Sequence, residues 1–140
     1  MTNCTYAQKI ERWTLDRLVP YARNPRTHAP EQVAQIASSI RAFGFNNPVL
    51  VDAQGGVIAG HGRLLAARQL GLKEVPVHVA TDLTEAQIKA YRLADNQTAS
   101  IADWDYELLP IELKDLQGMD YDLGLLDQLF SPPASPNPPR

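Results

Sequence analysis

An alternation of short apolar strands with amphipathic helices predicts an α/β chain, and three stretches carry the prediction. Pro48-Val49-Leu50-Val51-Asp52 and Val57-Ile58-Ala59 are β-rich runs joined through Gln54-Gly55-Gly56, the composition of a hairpin. Val33, Ile36, Ile40 and Phe43 recur at helical spacing until Gly44, with Pro30 suited to the first turn. Between them in importance lies the segment 55–71: a tight turn at Gly55-Gly56, a strand, a glycine-bracketed loop Gly60-His61-Gly62, and a helix from Arg63 to Leu70 that Gly71 stops.

The remaining elements follow in order. Residues 1–7 read as a flexible start, and 8–14 alternate as a first strand with Ile10 on one face and Trp13 near its end. Leu15-Asp16-Arg17-Leu18 predicts a turn of helix closed by Pro20. Tyr21 to His28 is irregular and stiffened by prolines. It places Arg23, Asn24 and Arg26 on one loop, suited either to phosphate or DNA contacts or to a plain connection capped by Thr27 or His28.

Val75-Pro76-Val77-His78-Val79 predicts a strand that Pro76 assigns to a sheet edge or to a strand start, with His78 on the polar face. Thr84 and Gln87 form a capping box, and the helix they open is expected to end near Ala94-Asp95-Asn96. Asp103-Trp104-Asp105 starts a further helical region that Pro110 must kink or restart, and 121–130 reads as a last helix. Residues 131–140 hold five of the eleven prolines in a linker-like tail.

A chain of 140 residues with 44% hydrophobic content fits one domain with tails. The expected organisation is a flexible 1–7, a domain over 8–102, a helical extension over 103–130 and the tail 131–140. No apolar run approaches a membrane span and the start is polar, so a cytoplasmic protein without membrane attachment is expected. Cys4 is the only cysteine, which excludes an internal disulfide, and His28, His61 and His78 lack the spacing of a zinc site. The net charge of −3 hides an asymmetry: residues 1–73 carry nine Lys and Arg against four Asp and Glu, residues 74–140 four against twelve. A basic first half permits a local polyanion surface or is ordinary solvated surface.

The chemistry concentrates at the glycine loop. A strand, a tight loop and a helix start aim backbone N–H groups and the positive end of a helix dipole at one spot, which favours an anion. Gly60 and Gly62 would let a phosphate approach the backbone, Arg63 would add a fork of donors, and His61 would sit at the tip. Ordinary turn glycines and a surface arginine are the alternative. Neither a Walker loop nor G-x-G-x-x-G is present. Asp95 and Asn96 could hold a hard cation such as magnesium when phosphates share its coordination, or could simply end a helix.

Three segments together resemble the ParB/sulfiredoxin-like superfamily, over about Ile10 to Ser100. Asn24-Pro25-Arg26 is similar to its first box, the stretch from Ala59 to Ala67 to its G-E-R-R-x-x-A box, and Ala94-Asp95-Asn96-Gln97 to its E-N-L-Q segment. The G-H-G-R loop with A-D-N-Q and a following W-D-x-E-L-L looks most like the ParB-like domain at the front of phage and bacterial DNA methyltransferases.

The resemblance implies a small mixed β-sheet with flanking helices and a nucleotide pocket. In ParB partition proteins that pocket takes CTP with magnesium, and in sulfiredoxin and a free-serine kinase it serves ATP or ADP chemistry. Carried over by position, Gly60, His61, Gly62 and Arg63 would hold phosphates with help from Arg26, and Asp95 and Asn96 would face the metal. His61 and Gly62 stand where partition proteins have Glu and Arg, so His61 is expected either to donate to a phosphate or to act as an acid or base near neutral pH, and in a kinase or NTPase His61 or Asp95 would serve as the base. The chain after Ser100 is too short for the DNA-binding domain that follows in those proteins.

The function expected is a CTP- or ATP-binding module, magnesium-assisted, accessory to DNA modification or another DNA transaction, partnered by DNA, a methyltransferase or a second copy of itself. A metal-dependent nuclease and a small NTPase or free-amino-acid kinase are the enzymatic alternatives, the first of which wants more converging carboxylates than Asp95, Asp52 and Glu85 supply.

Overall fold

The structure, a computed structural model, describes residues 4–7, 9–24, 27–101 and 103–130. Pro25, Arg26 and the proline-rich 131–140 therefore lie outside the described residues. The chain forms two compact units, 1–102 and 103–140.

The first unit is a four-stranded mixed sheet with helices packed against it. Its elements are β1 (Glu11–Thr14), a single 3-10 turn (Leu15–Arg17), α1 (Pro30–Phe43), β2 (Val49–Val51), β3 (Val57–Ala59), α2 (His61–Leu70), β4 (Glu74–Val79) and α3 (Glu85–Ile101). The sheet order is β1-β4-β2-β3. The expected hairpin forms, β2 pairing antiparallel with β3, while β4 runs parallel to β2 and antiparallel to β1. A hairpin followed by a helix returns the chain to the far side of β2, which is why a parallel pair appears in so small a sheet.

The turn of that hairpin has its own chemistry. Asp52 Oδ1 accepts the N–H groups of Gln54 at 2.9 Å and Gly56 at 2.8 Å, a side chain taking two donors that the sheet leaves over. Gly55 sits at φ +87°, and a Cβ there would meet the Arg17 carbonyl oxygen at 2.4 Å. No other residue fits that corner.

One face of the sheet holds the main core. Trp13, Val49, Val51, Val57, Val75 and Val77 point toward Leu64 and Ala67 of α2, and Leu18 closes the end. Each fully buried aliphatic side chain contributes about 1.5–3 kcal/mol by leaving water. A second cluster, Val33, Ala37 and Ala66, joins α1 to α2. Strand alternation turns Ile58 to the opposite face, where it is still buried.

Several expectations change in three dimensions. Pro76 is neither on an edge strand nor at its start, since β4 lies between β1 and β2 and Pro76 is its third residue. The ladder to β2 begins only at Val77, so no partner on that flank calls for the N–H that proline lacks. His78 is half-buried with Nδ1 unpartnered among the described residues, instead of standing on a solvated face. Ile10 precedes β1 and is exposed, as is Phe43 at the end of α1, while Ala37 takes the core position there. The cap of α1 is Ala29, without a side-chain hydrogen bond, not Thr27 or His28.

The capping box at α3 is complete: Gln87 N–H donates to Thr84 Oγ1 at 3.1 Å and Thr84 N–H to Gln87 Oε1 at 2.8 Å. The helix does not stop at Asn96, however, but continues to Ile101. Asp95 and Asn96 are interior helical positions, because no glycine or proline interrupts the run and α3 packs along β3.

The second unit contains α4 (Leu108–Gly118) and α5 (Gly124–Phe130). Pro110 restarts the helix, standing in the first turn of α4, where its missing N–H costs nothing. Asp105 Oδ1 accepts from Glu107 and Leu108 N–H, and Trp104 meets Phe130 edge-on at 5.3 Å between ring centroids. Among the described residues no helix is long and apolar enough to cross a membrane.

Candidate functional site

The glycine loop is tighter than the sequence suggests. Helix α2 begins at His61, two residues before the expected Arg63, and Gly60 is its N-cap at φ +100°. Among the described residues no side chain caps this helix, so the first-turn amides of His61, Gly62 and Arg63 are the donors that an α-helix leaves without intrahelical partners. A Cβ on Gly60 would stand 2.9 Å from Arg63 Nη2 and 3.2 Å from Val49 Cα.

Gly62 has a packing role as well. It is buried, and a Cβ there would meet Ile36 Cδ1 at 2.9 Å and the His28 ring at 3.2 Å. Its missing side chain lets α2 lie close on α1, while the residue still lines the cleft at the start of α2.

Arg63 is half-buried. Its Nη2 donates to the Pro48 carbonyl at 3.0 Å, whereas its Nε is buried with no hydrogen-bond partner among the described residues. Burial lowers its pKa from the usual range, and the carboxylate of Asp95 opposes that shift. A guanidinium with one orphaned donor beside an acid is an incomplete network.

His61 is held as a neutral base. Its Nε2 accepts the Tyr21 N–H at 3.2 Å, which places the ring proton on Nδ1. Burial first, then the charges of Arg92 and His28, lower its pKa from 6.5 to about 4. Such a ring ties the 19–24 segment to the start of α2. It has no proton to give from Nε2 at neutral pH, which runs against the expected acid or base near neutrality.

These groups share one hollow. A cleft of about 210 Å³ is lined by Asn24 and His28, by the run Ile58 to Arg63, and by Asp95, Asn96 and Ala99 of α3, with Gln32 and Ile36 closing one side. His28 Nδ1 is 3.0 Å from Gln32 Oε1, which fixes its ring against the first helix. Segments far apart in sequence thus meet at one place: Asn24 of the first box, the stretch from Ala59 to Arg63 of the second, and Asp95-Asn96 of the third. Arg23 parts company with Asn24: it lines a different cavity, beside Arg92. Asp95 is the one carboxylate in the cleft's lining, and among the described residues no three His, Cys, Asp or Glu side chains cluster as metal ligands.

Sequence reasoning missed His28, Tyr21 and Arg92. Arg92, Asp95 and Asn96 recur at helical spacing along α3 and line the two cavities, so polar residues stand where an apolar stripe is usual. That inversion was the available signal. Tyr21 acts through its backbone and its ring face, for which no local pattern exists.

Comparison with known proteins matches this arrangement to a family. The model of the ParB N-terminal domain matches residues 2–97. The ParB-like nuclease domain-containing protein YnaK of Escherichia coli is 53% identical over 79 residues, 56% of this chain and 91% of that protein. The chromosome-partitioning protein Spo0J of Thermus thermophilus is 37% identical over 91 residues, 62% of this chain but about a third, 34%, of its own length. Among solved structures, truncated ParB of Caulobacter crescentus complexed with CTP-gamma-S superposes with a TM-score of 0.72 at 24% identity, covering 86% of this chain and 70% of that one. Arabidopsis thaliana sulfiredoxin gives 0.52 at 20% identity, covering 60% of this chain and 97% of its own. At such identities the structures speak for the fold. The family match, which takes in the loop, the α2 start and Asp95-Asn96, speaks for the lineage: this chain belongs to the ParB N-terminal domain family.

Proposed function

We propose that the chain binds a nucleoside triphosphate, CTP or ATP, through its polyphosphate at the start of α2, as an accessory module in a DNA transaction such as DNA modification. The observation that carries this is the convergence of Asn24, Gly60 to Arg63 and Asp95-Asn96 on a single cleft. Uncapped first-turn amides, a helix dipole and the orphaned Arg63 Nε are donors in want of an acceptor, and a phosphate oxygen is the acceptor that such a cradle takes. A cleft of about 210 Å³ is below the range of about 300–1,000 Å³ common for whole small ligands. It suits the phosphates, with the nucleoside lying outward. That a ParB of the same fold is described in complex with CTP-gamma-S agrees with this proposal.

The donor set also fits magnesium held jointly with phosphates, since Asp95 supplies one hard oxygen and Asn96 lines the same wall. The ion would there neutralise phosphate charge. Arg63 would hold a phosphate from the other side, and His61, neutral, would keep the 21–24 segment in place against the cradle. With one carboxylate in the lining, binding is better supported than two-metal phosphodiester cleavage, which uses several.

The test is calorimetric titration with CTP, ATP and their diphosphates, with and without magnesium. Charge-assisted contacts of about 1.5–3 kcal/mol predict that Arg63→Ala weakens triphosphate binding by about 10- to 100-fold. Absence of saturable binding, or equal binding by the variant, refutes the proposal.

A further inference from the structure

We propose that the cavity on the Arg92 side of Tyr21 is a second site, for a small molecule carrying a compact anionic group, a phosphomonoester or a carboxylate. This cavity measures about 550 Å³, within the span of small-molecule sites, and shares no lining residue with the cleft at α2. Arg92 forms its inner wall with only 5% of its surface exposed. The guanidinium spends Nε and Nη2 on one oxygen, the Val57 carbonyl, at 3.3 and 3.0 Å, and its Cζ lies 3.7 Å from the Tyr21 ring centroid.

Among the described residues no carboxylate pairs with Arg92. A buried cation without a carboxylate partner is costly, and a carbonyl and an aromatic face offset only part of that cost. Two more cations, Arg23 and Lys89, are exposed at the same cavity. Two acids line it as well: Asp52, whose Oδ1 accepts the Gln54 and Gly56 amides, and Glu85 at the first turn of α3. The three cations outnumber the two acids, and the most buried of them has a carbonyl and a ring face but, among the described residues, no carboxylate. An anion entering from solvent would supply the missing partner, with the guanidinium of Arg92 at its base and the exposed Arg23 and Lys89 beside it.

The proposal stands apart from the nucleotide reading, and one experiment keeps the two separable. The 15N-labelled full chain is titrated with inorganic phosphate and, in a parallel arm, with succinate, at constant pH and ionic strength. Saturable shifts are expected at the Gln54, Gly56 and Lys89 amides and at Arg92 Nε. Amides 61–64 report the other cleft independently. In the Arg23→Gln/Lys89→Gln variant, whose exposed changes spare the core, the apparent affinity at the first set falls by about tenfold while any response at 61–64 keeps its wild-type midpoint. A response to phosphate alone or succinate alone supports the site and names its anionic group. No saturable shift in the first set with either anion, or an unchanged midpoint in the variant, overturns it.

Discussion

Replacing His61 by glutamine tests the electrostatics of the site more directly than any other single change. Glutamine Oε1 can still accept the Tyr21 N–H that Nε2 accepts at 3.2 Å, so the substitution removes titration and leaves the tether. The folded pKa of about 4 lies below the usual 6.5 because burial, then Arg92 from α3 and His28 from the segment before α1, disfavour imidazolium. Asp95, on the same cleft wall, is the acid that would oppose them.

In that window the unfolded chain binds a proton at residue 61 that the folded chain refuses. The sign follows: the stabilisation is complete above pH 6.5 and is lost as pH falls toward 4. The full difference corresponds to about 3 kcal/mol at 1.36 kcal/mol for each tenfold change in proton affinity. Since the ring is only half-buried, solvent screening leaves about half of that, roughly 1.5 kcal/mol. Urea denaturation at pH 7.5 and pH 4.5 should therefore show wild type losing about 1 kcal/mol more than His61→Gln, most of the window having been crossed. Other groups titrate alike in both proteins and cancel. The reasoning fails if the two proteins lose stability in parallel, or if the His61 Cε1–H resonance titrates near 6.5.

Further outcomes follow from single contacts. Gly60→Ala should cost about 1–2 kcal/mol for a side chain at φ +100°, and the displaced Arg63 should weaken triphosphate binding as well; denaturant melts and calorimetry read the two effects. Thr84→Ala removes half of the reciprocal cap on α3 and should lower stability by about 1 kcal/mol, with faster amide exchange at Gln87 and Ile88 and unchanged triphosphate affinity. Asp95→Asn should abolish the magnesium-dependent part of triphosphate binding while leaving metal-free binding equal or stronger, since a negative charge leaves the cradle; titrations with and without magnesium decide it.

Local pattern was enough for the elements that depend on local rules. The hairpin through Gly55-Gly56, the capping box at Thr84 and the stop at Gly71 are each fixed by residues within a few positions of one another. The position of β4 was not legible that way: a proline inside a strand argues for an edge, and only the offset of two ladders, beginning at different residues, permits it in the middle. The end of α3 was missed for a related reason. Asp95-Asn96 are helix-ending residues by composition, and packing along β3 carries the helix past them.

By itself the sequence determined which residue types were available for an anion cradle and in what order, because glycine spacing and helix starts are written in adjacent positions. Tertiary structure alone decided what each does. Gly62 became a packing contact because α1 crosses there, and His61 a neutral tether because Tyr21, forty residues earlier, offers it an N–H. Arg92 became a buried cation because Val57 and Tyr21 enclose it. Burial and partner identity set the protonation and reach of a side chain, and both come from chain segments that no local window contains.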